Sequence, residues 1–173
     1  MMINKCIVIL LILLPSLGLA QKPPQTNQSK EQQTKIEYLN QMIGIALDYT
    51  PASLRLHDFI FDWIGKPYRF GGESKKGIDC SALVRELYNK VFEISLPRSS
   101  KQQFKYVELV NKNELQTGDL VFFKIKTKQI SHVGVYLGED KFFQVSNSGV
   151  NISSLQHPYW KKYYYKGGRI NKI

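Results

Sequence analysis

The hydrophobic period of this chain changes once, near Pro97, and that change limits the folds open to it. Before Pro97, Leu56, Phe59, Ile60, Trp63 and Ile64 recur at helical spacing. Leu83, Val84, Leu87, Tyr88 and Val91 share one face of a second helical segment. After Pro97, residues 120–125, 133–137, 142–145 and 150–153 form short β-branched or aromatic runs separated by turn residues. Helices first and strands afterwards predict an α+β domain with an antiparallel sheet. Thr50-Pro51 offers a capping hydroxyl followed by proline at the first helical position. Gly65-Lys66-Pro67 stops that helix, a glycine-bearing loop covers residues 68–78, and the second helix starts near Asp79 or Cys80.

The N-terminal part carries a different pattern. Lys5, an apolar run over residues 7–14 and Gly18-Leu19-Ala20 match a secretory signal peptide over residues 1–20, with an uncleaved N-terminal anchor as the alternative. No later segment is long and apolar enough to span a bilayer, so none is expected after cleavage. Gln21 stands where a lipid-bearing cysteine would be required, so no lipidation is expected. Residues 21–34 are rich in Gln, Lys, Pro and Ser and read as a flexible tether. Residues 36–47 allow a short helix before a domain over residues 51–173. These features predict an exported protein, either periplasmic or extracellular and wall-associated. The 24 Lys and Arg against 14 Asp and Glu give a net charge of +10, which suits an anionic polymer such as a bacterial wall or serves solubility alone. Export and the lack of a nucleic-acid motif argue against a nucleic-acid partner.

Of the two cysteines, Cys6 lies inside the signal segment, leaving Cys80 as a lone thiol that is either buried and inert or reactive. Asp79 is a good helix cap, which puts Cys80 in the first turn of the second helix. There the helix dipole favours a thiolate and can lower the thiol pKa. A thiolate nucleophile needs a base. His57 falls within the first helix and is expected on its surface. His157 precedes Pro158 in a turn near Tyr159 and Trp160. His132 opens a strand, a rigid place from which to hold an imidazole against a helix-borne thiol. The next strand offers Gln144 to orient that imidazole. If Leu137 faces Lys141 across a three-residue loop, Gln144 faces Gly134 and His132 faces Ser146, so His132 and Gln144 are diagonal neighbours on one face. A two-residue loop reverses the parity, so the assignment requires an odd loop or a bulge. The histidines and the cysteine show no zinc-ligand spacing, and neither metal nor cofactor is expected.

Four motifs follow in order: Tyr68-Arg69-Phe70-Gly71-Gly72, then Gly77-Ile78-Asp79-Cys80-Ser81-Ala82-Leu83-Val84, then Leu96-Pro97-Arg98-Ser99-Ser100, then Thr117-Gly118-Asp119-Leu120-Val121-Phe122-Phe123 leading into the His132 strand. Together they resemble the NlpC family of papain-like bacterial cell-wall cysteine peptidases, over roughly Phe59 to Ile170. The resemblance implies a papain-like α+β fold and a triad in which Cys80 attacks, His132 acts as base then acid, and Gln144 orients His132. It implies hydrolysis of amide bonds in peptidoglycan stem peptides through a thioester. The bond is either D-glutamyl–diamino acid within a stem or the D-alanyl–diamino acid cross-link between stems. Tyr68, Asp79 and Ser81 match cleft residues beside the cysteine. Asp79 either caps the helix, binds a substrate amine, or does both. Arg98 either meets a stem carboxylate or forms a structural salt bridge. Two positions depart from the family's pattern: Gln144 stands where histidine is most common, and Ala82 where glycine is common. The first departure keeps a non-catalytic wall-binding module in view.

Overall fold

The computed structural model describes residues 50–170, together with the isolated helical positions Lys30, Gln33, Thr34, Glu37 and Gln41. Lys30, Gln33 and Thr34 are thus helical within the stretch read as a tether. The expected signal segment lies outside the described residues. Among the described residues no helix is long and apolar enough to cross a membrane.

Helix α1 (Pro51–Trp63) starts as its sequence dictates: Thr50 Oγ1 accepts the Ser53 N–H at 3.1 Å, and Ser53 Oγ accepts the Thr50 N–H at 2.9 Å. Its buried face holds Leu56, Phe59, Ile60 and Trp63, and also His57. The surface position expected of His57 is not found, since its side chain is 2% exposed. Helix α1 packs on the cysteine-bearing helix and its Phe59 makes an edge contact with Phe143 of the sheet (6.2 Å), so the covered part of its surface is wider than one apolar stripe. A small hairpin, β1 (Glu73–Ser74) and β2 (Gly77–Ile78), lies within the glycine-bearing loop. Helix α2 (Cys80–Phe92) follows directly and ends at Glu93 in the left-handed region (φ 60°).

After helix α3 (Ser100–Tyr106) comes the sheet: β3 (Glu108–Val110), β4 (Leu120–Phe123), β5 (His132–Gly138), β6 (Lys141–Ser146), β7 (Gly149–Ser154) and β8 (Tyr164–Arg169), with helix α4 (Pro158–Tyr163) before the last strand. All its pairings are antiparallel, in the order β3-β8-β4-β5-β6-β7. Helix α2 packs its apolar face on β5 and β6. Leu83, Leu87, Val133 and Val145 are fully buried between them. Strand β8 had no signal in the periodicity, because Gly167 and Gly168 interrupt it. Those glycines admit close neighbours: a Cβ on Gly167 would meet Leu115 Cδ2 at 2.6 Å.

The β5–β6 hairpin decides the site. Val135 pairs with Phe143 and Tyr136 with Phe142, but Gly138, not Leu137, pairs with Lys141. The extra residue is a bulge, and the turn is only Glu139 and Asp140, both with positive φ (48° and 58°). The bulge restores the parity that a two-residue turn would reverse, so Gln144 faces Gly134. A Cβ on Gly134 would lie 3.2 Å from Gln144 Cβ.

Candidate active site

Asp79 stands in extended conformation at the N-cap of α2, and its Oδ1 accepts the Ala82 N–H at 2.8 Å. This fixes Cys80 as the first helical residue, with its side chain packed against the core. His132 is the first residue of β5, paired with Phe123 of β4 and 7% exposed. Its ring stacks on Trp160 at 5.1 Å and 22°, and tilts against Phe123 at 5.6 Å. Two hydrophobic planes therefore hold the imidazole from the sheet and from α4. Gln144 of β6 lies behind it and is 1% exposed.

Two cavities, of about 610 Å³ and about 680 Å³, meet at Cys80, and both are also lined by Tyr68 and Ser131. His132, Gln144 and Trp160 line the first. Asp79, Ser81 and Arg98 line the second. The side chains expected to do chemistry are thus brought to one cleft. His57 and His157 line neither cavity. His157 is exposed and caps α4, its Nδ1 accepting the Tyr159 N–H at 3.3 Å.

Electrostatics set the resting state. Burial pushes the Cys80 thiol up to about 11, although hydrogen bonding from the Val133 N–H works against it. The lowered thiol pKa expected from the helix dipole is therefore not found, because desolvation of the thiolate outweighs the favourable end of the helix. Burial pushes the His132 imidazole down to about 4, with Gln144 acting in the opposite direction. Burial thus favours the neutral form of each group, a thiol at Cys80 and an imidazole at His132. The His132–Gln144 interaction falls short of full hydrogen-bond geometry, since His132 Nε2 and Gln144 Oε1 are both buried without a partner.

The second cavity holds a closed polar network. Arg98 donates from Nη1 and Nη2 to the two carboxylate oxygens of Asp79 at 3.0 and 2.6 Å, and from Nη1 to Ser81 Oγ at 3.1 Å. Ser81 Oγ donates to Asp79 Oδ1 at 3.0 Å. Burial raises the Asp79 carboxyl, but hydrogen bonds from Arg98, the Ala82 N–H and Ser81 outweigh it and hold the group below its ordinary value. Asp79 therefore is the helix cap, and Arg98 does form an ion pair, with Asp79 and with Glu73.

The motif order, the helix-borne cysteine and the strand-borne histidine coincide with a family model described as the NlpC/P60 family, which matches residues 65–169. The chain belongs to the NlpC/P60 family. A probable endopeptidase NlpC homolog of Haemophilus influenzae is 46% identical over 110 residues, covering 63% of this chain and 58% of that protein. A murein DD-endopeptidase and murein LD-carboxypeptidase, MepS of Escherichia coli K12, is 44% identical over 117 residues, covering 67% of this chain and 62% of that protein. The matches span less than two thirds of these relatives' lengths. Among solved structures, an NLP/P60 family protein from Staphylococcus aureus, similar to lipoprotein, aligns with a TM-score of 0.64 at 28% identity over 72% of this chain and 45% of that one. The α+β, papain-like architecture expected from the sequence is the architecture of these NlpC/P60 neighbours.

The sequence reading missed three contributors to this NlpC/P60 site. Trp160 stacks on His132 from a segment 28 positions further along the chain. Gln103, fully buried, donates from Nε2 to the carbonyls of Ser81 and Pro97, both at 2.9 Å, tying the start of α2 to the Arg98 loop. Asn151 lies opposite Gln144 on β7 and accepts a hydrogen bond from its amide at 2.9 Å. Trp160 left a local signal, as an aromatic neighbour of His157. The other two act across elements whose pairing local sequence does not reveal.

Proposed function

We propose that this chain is an exported cysteine endopeptidase that hydrolyses amide bonds in peptidoglycan stem peptides. The observation that carries the proposal is the meeting of Cys80, at the head of α2, with His132, at the head of β5, in one cleft backed by Gln144. The name of the Escherichia coli relative, a murein DD-endopeptidase, supports the substrate class. Either the D-glutamyl–diamino acid bond or the D-alanyl–diamino acid cross-link fits this reading.

The neutral resting pair shapes the mechanism. Cys80 loses its proton to His132 as the sulfur attacks the scissile carbonyl carbon, so ionisation and attack are coupled. The backbone N–H of Cys80, at the open start of α2, is a donor for the oxyanion. The imidazolium then gives its proton to the leaving amine, leaving a thioester on Cys80. Water, deprotonated by His132, releases the acid and restores the thiol. Tyr68, Asp79, Ser81 and Arg98 surround the other side of Cys80, where we assign the charged groups of the stem. Because Arg98 already grips Asp79 through both nitrogens, its first role is to orient that carboxylate.

The test is mass spectrometry of purified muropeptides, including cross-linked dimers, incubated with the protein and with Cys80→Ala. New fragments only with the intact thiol support the peptidase, and their masses name the bond. Fragments from Cys80→Ala overturn the mechanism. No fragments from either folded protein favours a wall-binding module, the reading that the partnerless Gln144 Oε1 and His132 Nε2 keep open.

A further inference from the structure

A primary amide presents a donor on one side and an acceptor on the other, and the two are interchangeable by a half-turn. A glutamine that orients a catalytic imidazole therefore has to be held the right way round. Gln144 is held by a chain of hydrogen bonds running across the β6–β7 hairpin. Its Nε2 donates to Asn151 Oδ1 at 2.9 Å and to Ser153 Oγ at 3.1 Å. Asn151 is itself an amide, but its Nδ2 donates to the Gly149 carbonyl at 2.9 Å and to Ser148 Oγ at 3.2 Å. A backbone carbonyl only accepts, so Gly149 fixes Asn151, and Asn151 fixes Gln144. Ser153 Oγ completes the lock by donating to Asn151 Oδ1 at 2.9 Å. A flipped Gln144 would set its oxygen against Asn151 Oδ1, acceptor against acceptor.

The consequence reaches the imidazole. The lock leaves Gln144 Oε1 as the buried atom with no partner, and the other buried partnerless atom here is His132 Nε2. An acceptor facing Nε2 selects the tautomer with hydrogen on Nε2, which leaves the Nδ1 lone pair to take the Cys80 proton. We propose that Asn151 is a positioning residue that fixes the orientation of the Gln144 amide and thereby the basic tautomer of His132. This inference rests on the reading of Cys80, His132 and Gln144 as the catalytic group. It makes Asn151 the companion that a glutamine at this place requires. A histidine at position 144 would have no such need, because an imidazole moves its proton between nitrogens to suit its neighbour.

The experiment pairs kinetics with the His132 tautomer, read from the ¹⁵N shifts of the labelled full chain. The variants are Asn151→Leu, which has similar volume and no polar atoms, Gln144→His, and the double variant. The expected result is the Nε2–H tautomer in the unaltered protein and a mixed or Nδ1–H population in Asn151→Leu. The kcat of Asn151→Leu should fall roughly 10-fold or more, with KM within about 2-fold. In the Gln144→His background the same leucine should change kcat less than about 3-fold. An equal loss in both backgrounds, or an unchanged tautomer in Asn151→Leu, overturns the proposal. Should Asn151→Leu fail to fold, Asn151→Ala takes its place with the same readouts and the same criteria. Gln144→Ala separates the levels: an unaltered rate there refutes the underlying triad, whereas a reduced rate beside a fully active Asn151→Leu refutes this inference alone.

Discussion

The protonation state of Cys80 at rest can be measured by alkylation. Burial raises its thiol from an ordinary 9.0 to about 11. At pH 7 the thiolate fraction then falls from roughly one in a hundred to roughly one in ten thousand. A more basic thiolate is also a better nucleophile, which recovers about 10-fold, so the net rate at pH 7 is about 10-fold below that of an unperturbed thiol, before access is considered. The slope is more diagnostic than the absolute rate because access does not alter it. Reaction with iodoacetamide, followed by mass of the peptide that carries Cys80, should quicken about 10-fold per pH unit from pH 6 to pH 10 without levelling. His132→Ala should leave that slope in place, because a neutral imidazole contributes no charge to the thiol. A rate that is flat above about pH 5 would refute the reasoning: it would mean that Cys80 and His132 rest as a thiolate–imidazolium pair and that the pairing overcomes the desolvation.

Acid should destabilise the domain through His132. Its imidazole is held down to about 4, against 6.5 when unfolded, so the unfolded chain takes up a proton that the fold refuses. Stability is full above pH 6.5 and is lost as pH falls towards 4, by about 3 kcal/mol in all and about 2 kcal/mol by pH 5. Urea unfolding of the protein and of His132→Gln at pH 8 and pH 5 checks this, and parallel losses in the two would contradict it. His132→Ala should abolish turnover while His157→Ala retains it, since His157 is an exposed cap on α4; an essential His157 would break the proposed triad. Trp160→Leu keeps an apolar side chain but removes the plane stacked on His132, and kcat should fall roughly 10- to 100-fold through misplacement of the base. An unchanged kcat for that variant would show that β5 alone positions the imidazole.

Much of this protein is written locally. The Thr50-Pro51 start of α1, the Asp79 cap that sets Cys80 in a first turn, and the β-branched and aromatic runs of β5 and β6 each depend on neighbours within four residues. Such features follow from hydrogen-bonding groups and side-chain periodicity, so the class of fold and the places of Cys80 at a helix start and His132 at a strand start were legible in advance. Parity limited the β5–β6 turn to an odd loop or a bulge but did not choose between them. The choice came from Glu139 and Asp140 entering the left-handed region and Leu137 taking the bulge.

What the tertiary structure alone decided concerns desolvation and contacts between distant segments. A helix start favours a thiolate, but only packing shows how much water is excluded, and exclusion reverses the shift at Cys80. The polarity of His57 marks it as a surface residue, yet packing of the whole chain buries it. Trp160 reaches His132 because α4 folds back over the sheet, and Asn151 meets Gln144 because β7 pairs with β6 in one register. Local sequence specifies which groups a segment carries; burial and register, which depend on every other segment, determine their charge and their partners.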